Sequence, residues 1–258
     1  MSETASQAGM NRAALLKTAG GAGAAIAFGG LVAASTARAS GLTNGDVDIL
    51  IAAEIAEALA VTTYSGIIFK SPFFTRLEGD DQGYLQAARQ EEMSHYALEK
   101  SLTGKSSPYD TFFYPKGMFA NAKVTLNALV TLEDAFIAAY LVGVRRFSTT
   151  DLRVAAARIM GIESDHRTLA RVIGPNVARA DGGPIEAITG IQGVVEDVDP
   201  PNNNGYERTL GWTDISQAVN ALLPFVDKAH AQKAGFDVTK TWKFMPFTPH
   251  LPTQLGAF

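Results

Sequence analysis

The fold of this chain is decided by the stretch EEMSH at residues 91–95, which returns as IESDH at residues 162–166. In both copies a glutamate precedes a histidine by three positions, which gives the pairs Glu92–His95 and Glu163–His166. Residues three apart on an α-helix lie on the same face, about one turn from each other. Each pair therefore directs a carboxylate and an imidazole towards one point, and two of the chain's 4 histidines occupy this setting.

A second repeated pair precedes each copy of the first. Glu57 is followed seven residues later by Tyr64, and Glu133 is followed at the same spacing by Tyr140. The order along the chain is thus Glu, Glu-x-x-His, Glu and Glu-x-x-His. This order predicts two helical hairpins of similar design.

The composition limits the function classes. With 258 residues, of which 47% are hydrophobic, the chain can bury one sizeable core with an appended subdomain. A charged content of 19% and a net charge of -4 argue against a nucleic-acid partner. Because the chain has no cysteine, any metal must be held by nitrogen and oxygen ligands.

Residues 1–39 have the pattern of an export signal. Arg12 and Lys17 form a positively charged start, an Ala/Gly-rich apolar run follows, and ARA at residues 37–39 fits a small-residue cleavage site. The alternative, a membrane-anchoring helix, is disfavoured by the weakly apolar, glycine-rich run. We therefore expect a mature protein that begins near Ser40, is periplasmic or secreted, and has no stable membrane span.

The export route stays open between twin-arginine transport and general secretion. The segment NRAALLK at residues 11–17 is similar to the twin-arginine motif, but Ala13 stands where the second arginine is expected.

Apolar residues at helical spacing predict four long helices. Their expected ranges are 46–69, 80–102, 120–147 and 151–173. Ser71-Pro72, Gly104 and Gly174-Pro175 are the expected stops. The connection at 103–119 is long enough to travel the length of a bundle, since an extended chain covers about 3.3 Å per residue.

The remainder, 176–258, is predicted to be a C-terminal extension packed on the bundle of residues 43–175. Loops are expected at 182–184 and 199–205, and one further helix at about 213–228. An extended aromatic tail then contains Trp242, Phe244 and Phe247.

Six ionisable side chains lie on helix faces that are otherwise apolar. Burying a carboxylate in such a face costs several kcal/mol unless an opposite charge compensates it. Two divalent cations would neutralise four carboxylates, and two imidazoles would complete the ligand set. The candidate metal ligands are Glu57, Glu92, His95, Glu133, Glu163 and His166.

The order and spacing of these residues resemble the ferritin-like superfamily across 43–175. The resemblance implies an all-α, ferritin-like four-helix bundle with a long crossover between its second and third helices. It also implies a centre of two Fe or two Mn ions on the six residues just named. Within the superfamily, the chain is most similar to exported bacterial ferritin-like proteins with a C-terminal extension, which are related to desiccation-associated proteins.

Several acidic and aromatic neighbours of the ligands are also of interest. Glu54 lies one turn before Glu57 and could replace it as the ligand of the first helix, although the shared Glu-to-Tyr spacing favours Glu57. Tyr64 and Tyr140 are core aromatics or hydrogen-bond donors to a ligand, and they are the candidate catalytic residues. We assign Asp134 to the solvated side of its helix.

Three further carboxylates are expected either on solvated faces or beside the ligands. These are Glu91, Glu99 and Asp165.

The predicted function is oxidation of Fe(II) or Mn(II) by oxygen or peroxide. The alternative is a stress-protective or structural protein whose metal is structural or absent, with the aromatic tail as a partner-binding surface. Mineral storage ranks last, because the extension after the fourth helix interferes with cage packing. A homo-oligomer is compatible with the sequence, and iron and manganese are not distinguished.

Overall fold

A computed structural model describes residues 41–181 and 210–250 of the chain. The predicted export segment 1–39, its cleavage site, and the loops expected at 182–184 and 199–205 lie outside the described residues.

Four long helices form the body of the molecule, as predicted for an all-α bundle. The first pair, α1 and α2, packs as one hairpin, and α3 and α4 pack as the other. Their bounds are Asn44–Lys70 (α1), Gly79–Thr103 (α2), Ala122–Arg146 (α3) and Thr150–Asp181 (α4).

Local sequence explains where these helices begin and end. The Thr43 hydroxyl accepts from the Asp46 backbone, and the Asp46 carboxylate accepts from the Thr43 backbone, which closes a capping box on α1. Helix α2 ends at Gly104, whose φ of 70° belongs to the left-handed region that glycine tolerates. Asn121 caps α3 through its side chain.

The predicted end of α4 is wrong. The helix does not stop at Gly174-Pro175 but continues to Asp181. A proline removes only one backbone donor, so a helix can pass through it with a local distortion.

A long crossover joins α2 to α3. One apolar cluster contains Leu50 near the start of α1, Tyr140 near the end of α3 and Leu152 near the start of α4, with Leu102 near the end of α2 packed against it. Helices α2 and α3 therefore end at the same side of the bundle and run parallel, so the chain must return along the bundle between them.

The C-terminal extension covers this crossover. Strand β1 (Thr111–Phe112) of the crossover pairs antiparallel with strand β2 (Trp242–Lys243) of the extension. The Trp242 ring lies 4.4 Å from that of Phe119, and Phe244 is buried. The further helix predicted in the extension is shorter than expected, Ile215–Val226 (α5), and is followed by Lys228–Lys233 (α6).

Helix α3 is the one helix of the described ranges that is long and apolar enough to cross a membrane, with a mean hydropathy of 1.4. Because 67% of its most apolar window is buried inside the molecule, its composition is that of the core helix of a bundle.

Candidate metal centre

The six predicted ligands converge in the centre of the four-helix bundle. Two overlapping groups form there, and in each group the candidate ligand atoms all lie within 4.8 Å of one another. The first group consists of Glu57, Glu92, His95 and Glu163. The second consists of Glu92, Glu133, Glu163 and His166.

Glu92 and Glu163 belong to both groups and direct one oxygen to each histidine. For Glu92, Oε2 lies 3.6 Å from His95 Nδ1 and Oε1 lies 2.9 Å from His166 Nδ1. For Glu163, the corresponding distances are 3.3 Å from Oε1 and 3.2 Å from Oε2. Both carboxylates are 0% exposed, so they are buried members of both ligand groups.

Glu57 and Glu133 each belong to one group. Glu57 Oε2 lies 3.6 Å from His95 Nδ1. Two tyrosines hold these terminal glutamates from the opposite hairpin. The hydroxyl of Tyr64 donates to Glu133 Oε1 at 2.7 Å, and that of Tyr140 contacts Glu57 Oε1. The tyrosine of each sequence pair therefore contacts the glutamate of the other pair. Tyr64 of α1 contacts Glu133 of α3, and Tyr140 of α3 contacts Glu57 of α1.

Outer contacts orient the imidazoles and the tyrosines. His166 Nε2 lies 2.8 Å from Glu91 Oε2, so donation from Nε2 leaves Nδ1 free to face the cluster. Glu99 is 2% exposed, which excludes the solvated-face alternative for this residue, and its Oε1 lies 2.6 Å from the Tyr140 hydroxyl. Asp165 is exposed.

The structure brings Glu57 and not Glu54 into the cluster. Glu54 is also buried, but its carboxylate accepts from the hydroxyl of Thr103 at the end of α2. Burial raises the pKa of Glu54 to about 7, although the Thr103 hydrogen bond opposes the shift.

The prediction that Asp134 is solvated is wrong. Asp134 is 2% exposed, and its Oδ1 lies 2.9 Å from Nη1 of the buried Arg167. Helix α3 therefore buries two adjacent acids. Glu133 faces the ligand cluster, and Asp134 forms an ion pair with Arg167 of α4.

Burial and mutual repulsion govern the protonation of the metal-free cluster. Burial, followed by the charges of Glu92 and Glu163, raises the pKa of Glu57 and Glu133 well above the usual range. Burial also pushes the pKa of Glu92 upwards, but the charge of the neighbouring His166 outweighs it and the net shift is downwards.

Both histidines favour the protonated form in the metal-free chain. Burial alone would lower the pKa of His95 and His166, but the surrounding carboxylates raise it well above the usual value. The cluster therefore carries acidic protons in positions that a divalent cation would displace.

Several of the clustered ligand atoms lack hydrogen-bond partners within the protein, and a metal ion would satisfy them. Glu57 Oε2, Glu133 Oε2 and His95 Nδ1 are buried and have no hydrogen-bond partner. Such orphaned atoms are costly in a protein interior, and carboxylate oxygen with imidazole nitrogen is a ligand set that Fe and Mn accept. These clustered glutamates and histidines could thus hold metal ions.

Comparison with known proteins identifies the family of the chain. The sequence matches the ferritin-like domain family over residues 45–174, half of the chain, which confirms the superfamily resemblance. No curated protein and no solved structure matches the chain significantly.

Proposed function

The chain belongs to the ferritin-like domain family, and from this premise we propose that it binds two transition-metal ions and oxidises Fe(II) or Mn(II) with oxygen or peroxide. The observation that carries the proposal is the pair of overlapping ligand groups that share Glu92 and Glu163. A single structural ion would need only one such group.

The proposed ligands divide into two sites. Glu57 and His95 would complete one site and Glu133 and His166 the other, with the two shared carboxylates between them. Two bound metal ions can each change oxidation state by one and so exchange the two electrons that reduce a peroxide. With Fe(II) as the substrate, two Fe(II) ions would give up one electron each, and one hydrogen peroxide with two protons would become two water molecules.

The chain's own residues supply charge compensation, orientation and exclusion of water. Tyr64 and Tyr140 hold the terminal glutamates by hydrogen bonds, so these carboxylates are positioned before an ion arrives. The buried side chains Val61, Phe136 and Ile159 belong to the apolar interior around the centre. This apolar surrounding limits the contact of the site with bulk water.

A second candidate function is stress protection without turnover, with metal that staples the bundle. It is supported by the origin of the ligands, which come from all four long helices.

We further propose that the protein acts outside the cytoplasm, on the basis of the export-signal pattern at residues 1–39. N-terminal sequencing of the native protein tests this, and an intact Met1 on cytoplasmic protein would contradict it.

The function is tested by mixing Fe(II)-loaded protein with oxygen or with peroxide in a stopped-flow instrument, after metal analysis has established loading. We expect oxidation faster than that of free Fe(II) in the same buffer, and loss of this acceleration in Glu57→Gln. Glu54→Gln is the matched control, because it removes a buried carboxylate one turn away on the same helix and outside the cluster. Bound Fe(II) that oxidises no faster than free Fe(II) would favour the protective protein.

A further inference from the structure

The hydroxyl of Tyr140 lies between two buried carboxyl groups. It contacts Oε1 of the candidate ligand Glu57, and it lies 2.6 Å from Oε1 of Glu99. All three side chains are buried. A phenol has a single proton and can donate only one full hydrogen bond. Two full hydrogen bonds at this hydroxyl therefore require that one carboxyl partner is protonated and donates to the tyrosine oxygen.

Metal binding determines which of the two carboxyl groups keeps a proton. Glu57 belongs to one of the ligand groups, and a glutamate binds a cation in its ionised form. With Glu57 ionised, both contacts of Tyr140 are hydrogen bonds only if its hydroxyl donates to Glu57 and Glu99 donates to its oxygen. The geometry of a metal-loaded centre thus requires a carboxylic acid at position 99.

The charge balance of a loaded centre also favours a neutral Glu99. Two divalent ions neutralise the four ligand carboxylates, so no charge remains to compensate a further buried carboxylate. Burial raises the pKa of Glu99 well above the usual range, although the Tyr140 hydrogen bond and the charge of His95 oppose the shift. The Oε2 atom of Glu99 is buried without a hydrogen-bond partner, which costs less for a neutral acid than for a carboxylate.

The internal repeat does not reproduce this arrangement in the other half of the centre. Tyr64 donates to the terminal ligand Glu133, as Tyr140 does to its own glutamate. An offset of 71 residues relates the two Glu-x-x-His motifs, and it places Ala170 at the position equivalent to Glu99. An alanine side chain has neither a donor nor an acceptor, so this position gives Tyr64 no second carboxyl partner. The two terminal glutamates are therefore held differently.

We propose that Glu99 is a positioning residue for the metal site of Glu57 and His95. As a carboxylic acid it donates to the oxygen of Tyr140, which commits the tyrosine proton to Oε1 of Glu57. The other oxygen of Glu57, Oε2, has no hydrogen-bond partner and is left to face the ion. This role rests on the metal binding in the proposed function, but it does not rest on any oxidation step.

The first test is titration of the full-length, metal-free protein with Co(II), whose visible absorption depends on the ligands around the ion. Competition with a chelator gives the affinity of each ion, and we expect two ions per wild-type chain. Glu99→Met has a side chain of similar length without a donor, so one ion should bind about 10–100-fold more weakly, with altered absorption, while the other is unchanged. Glu99→Gln should behave as the wild type, because its amide can donate to Tyr140.

Double variants test whether Glu99 acts through the tyrosine. Tyr140→Phe should weaken the same ion as Glu99→Met, and the combination should be no worse than Tyr140→Phe alone. Tyr64→Phe is the matched control from the other half of the centre. Its effect should simply add to that of Glu99→Met, because the two changes affect different ions.

Infrared spectroscopy tests the protonation of Glu99 directly. The difference spectrum between the Co(II)-loaded wild type and Co(II)-loaded Glu99→Gln should contain the carbonyl band of a carboxylic acid. A carboxylate band in its place would overturn the proposal.

The outcomes distinguish failure of this role from failure of the metal centre. Wild-type affinity in folded Glu99→Met, equal weakening of both ions, or weakened binding in Glu99→Gln would overturn the role of Glu99 and leave the metal centre intact. A wild-type chain that binds no Co(II) would overturn both. If circular dichroism shows that Glu99→Met is unfolded, Glu99→Leu replaces it, and the results for Glu99→Gln decide the role without either variant.

Discussion

The division of the ligands into shared and terminal residues leads to a prediction about metal stoichiometry. Glu163 belongs to both ligand groups, whereas Glu57 belongs to one. Glu163→Gln should therefore abolish binding of both ions, and Glu57→Gln should leave one ion per chain. Glutamine preserves the shape of each side chain, so the change removes a charged ligand without creating a cavity.

The same reasoning gives the expected stabilisation. An ion present at 100 times its dissociation constant stabilises the folded state by about 2.7 kcal/mol, so two ions contribute about 5 kcal/mol. For a chain of this size, 1 kcal/mol shifts the melting temperature by about 2–4 °C. Metal should thus raise the melting temperature of the wild type by roughly 10–20 °C, that of Glu57→Gln by about half as much, and that of Glu163→Gln hardly at all.

The assay combines metal analysis of dialysed protein with thermal melting followed by circular dichroism, with and without metal. Glu54→Gln serves as the control and should keep both ions, because its carboxylate is bound to Thr103 outside the cluster. Equal metal content in Glu57→Gln and Glu163→Gln would refute the idea of shared and terminal ligands. Loss of metal in Glu54→Gln alone would place the ligand of α1 one turn earlier.

Four other results are expected. Metal loading should release protons and strengthen as pH rises, because the pKa of both terminal glutamates and both histidines is raised in the metal-free chain; calorimetry in buffers of different ionisation enthalpy measures this. The pKa of Glu54 is raised from 4.5 to about 7, so the folded chain retains a proton that the unfolded chain releases, and metal-free stability should fall as pH rises through this window. Glu54→Gln should remove this loss of about 3 kcal/mol, as measured by urea unfolding at several pH values. Tyr64→Phe should weaken one metal site about 10–100-fold in chelator competition, since a hydrogen bond to a ligand is lost. Asp134→Ala should destabilise the chain by about 3–5 kcal/mol in urea unfolding, because buried Arg167 loses its carboxylate.

Much of this architecture could be predicted from local patterns. The helical period determines which residues share a face, so the pairs Glu92–His95 and Glu163–His166 could be assigned to common faces without knowledge of the neighbours. Helix ends could be predicted from capping and stop residues for the same reason, since these act locally, and α2 does end at Gly104. The failure at Gly174-Pro175 has a local cause as well, since proline disfavours helix continuation without forbidding it.

The partners of individual acids were beyond the reach of these patterns. Asp134 and Glu133 are adjacent on one apolar helix, and only the approach of Arg167 from α4 makes burial of the former acceptable. Glu54 and Glu57 lie on nearly the same face of α1, and their different roles follow from what each meets across the bundle. Thr103 meets the former and His95 the latter.

The sequence by itself thus determined the four-helix bundle, the order of its helices and five of the six residues of the candidate metal centre, because these follow from periodicity and residue chemistry along one chain. For the sixth it favoured Glu57 but left Glu54 open. Only the tertiary structure decided which oxygens face which histidine, which of Glu54 and Glu57 joins the cluster, and the exchange of Tyr64 and Tyr140 between hairpins. These features depend on the distance and rotation of one helix relative to another. Such quantities are set by the packing of all side chains together, and no single helix encodes them.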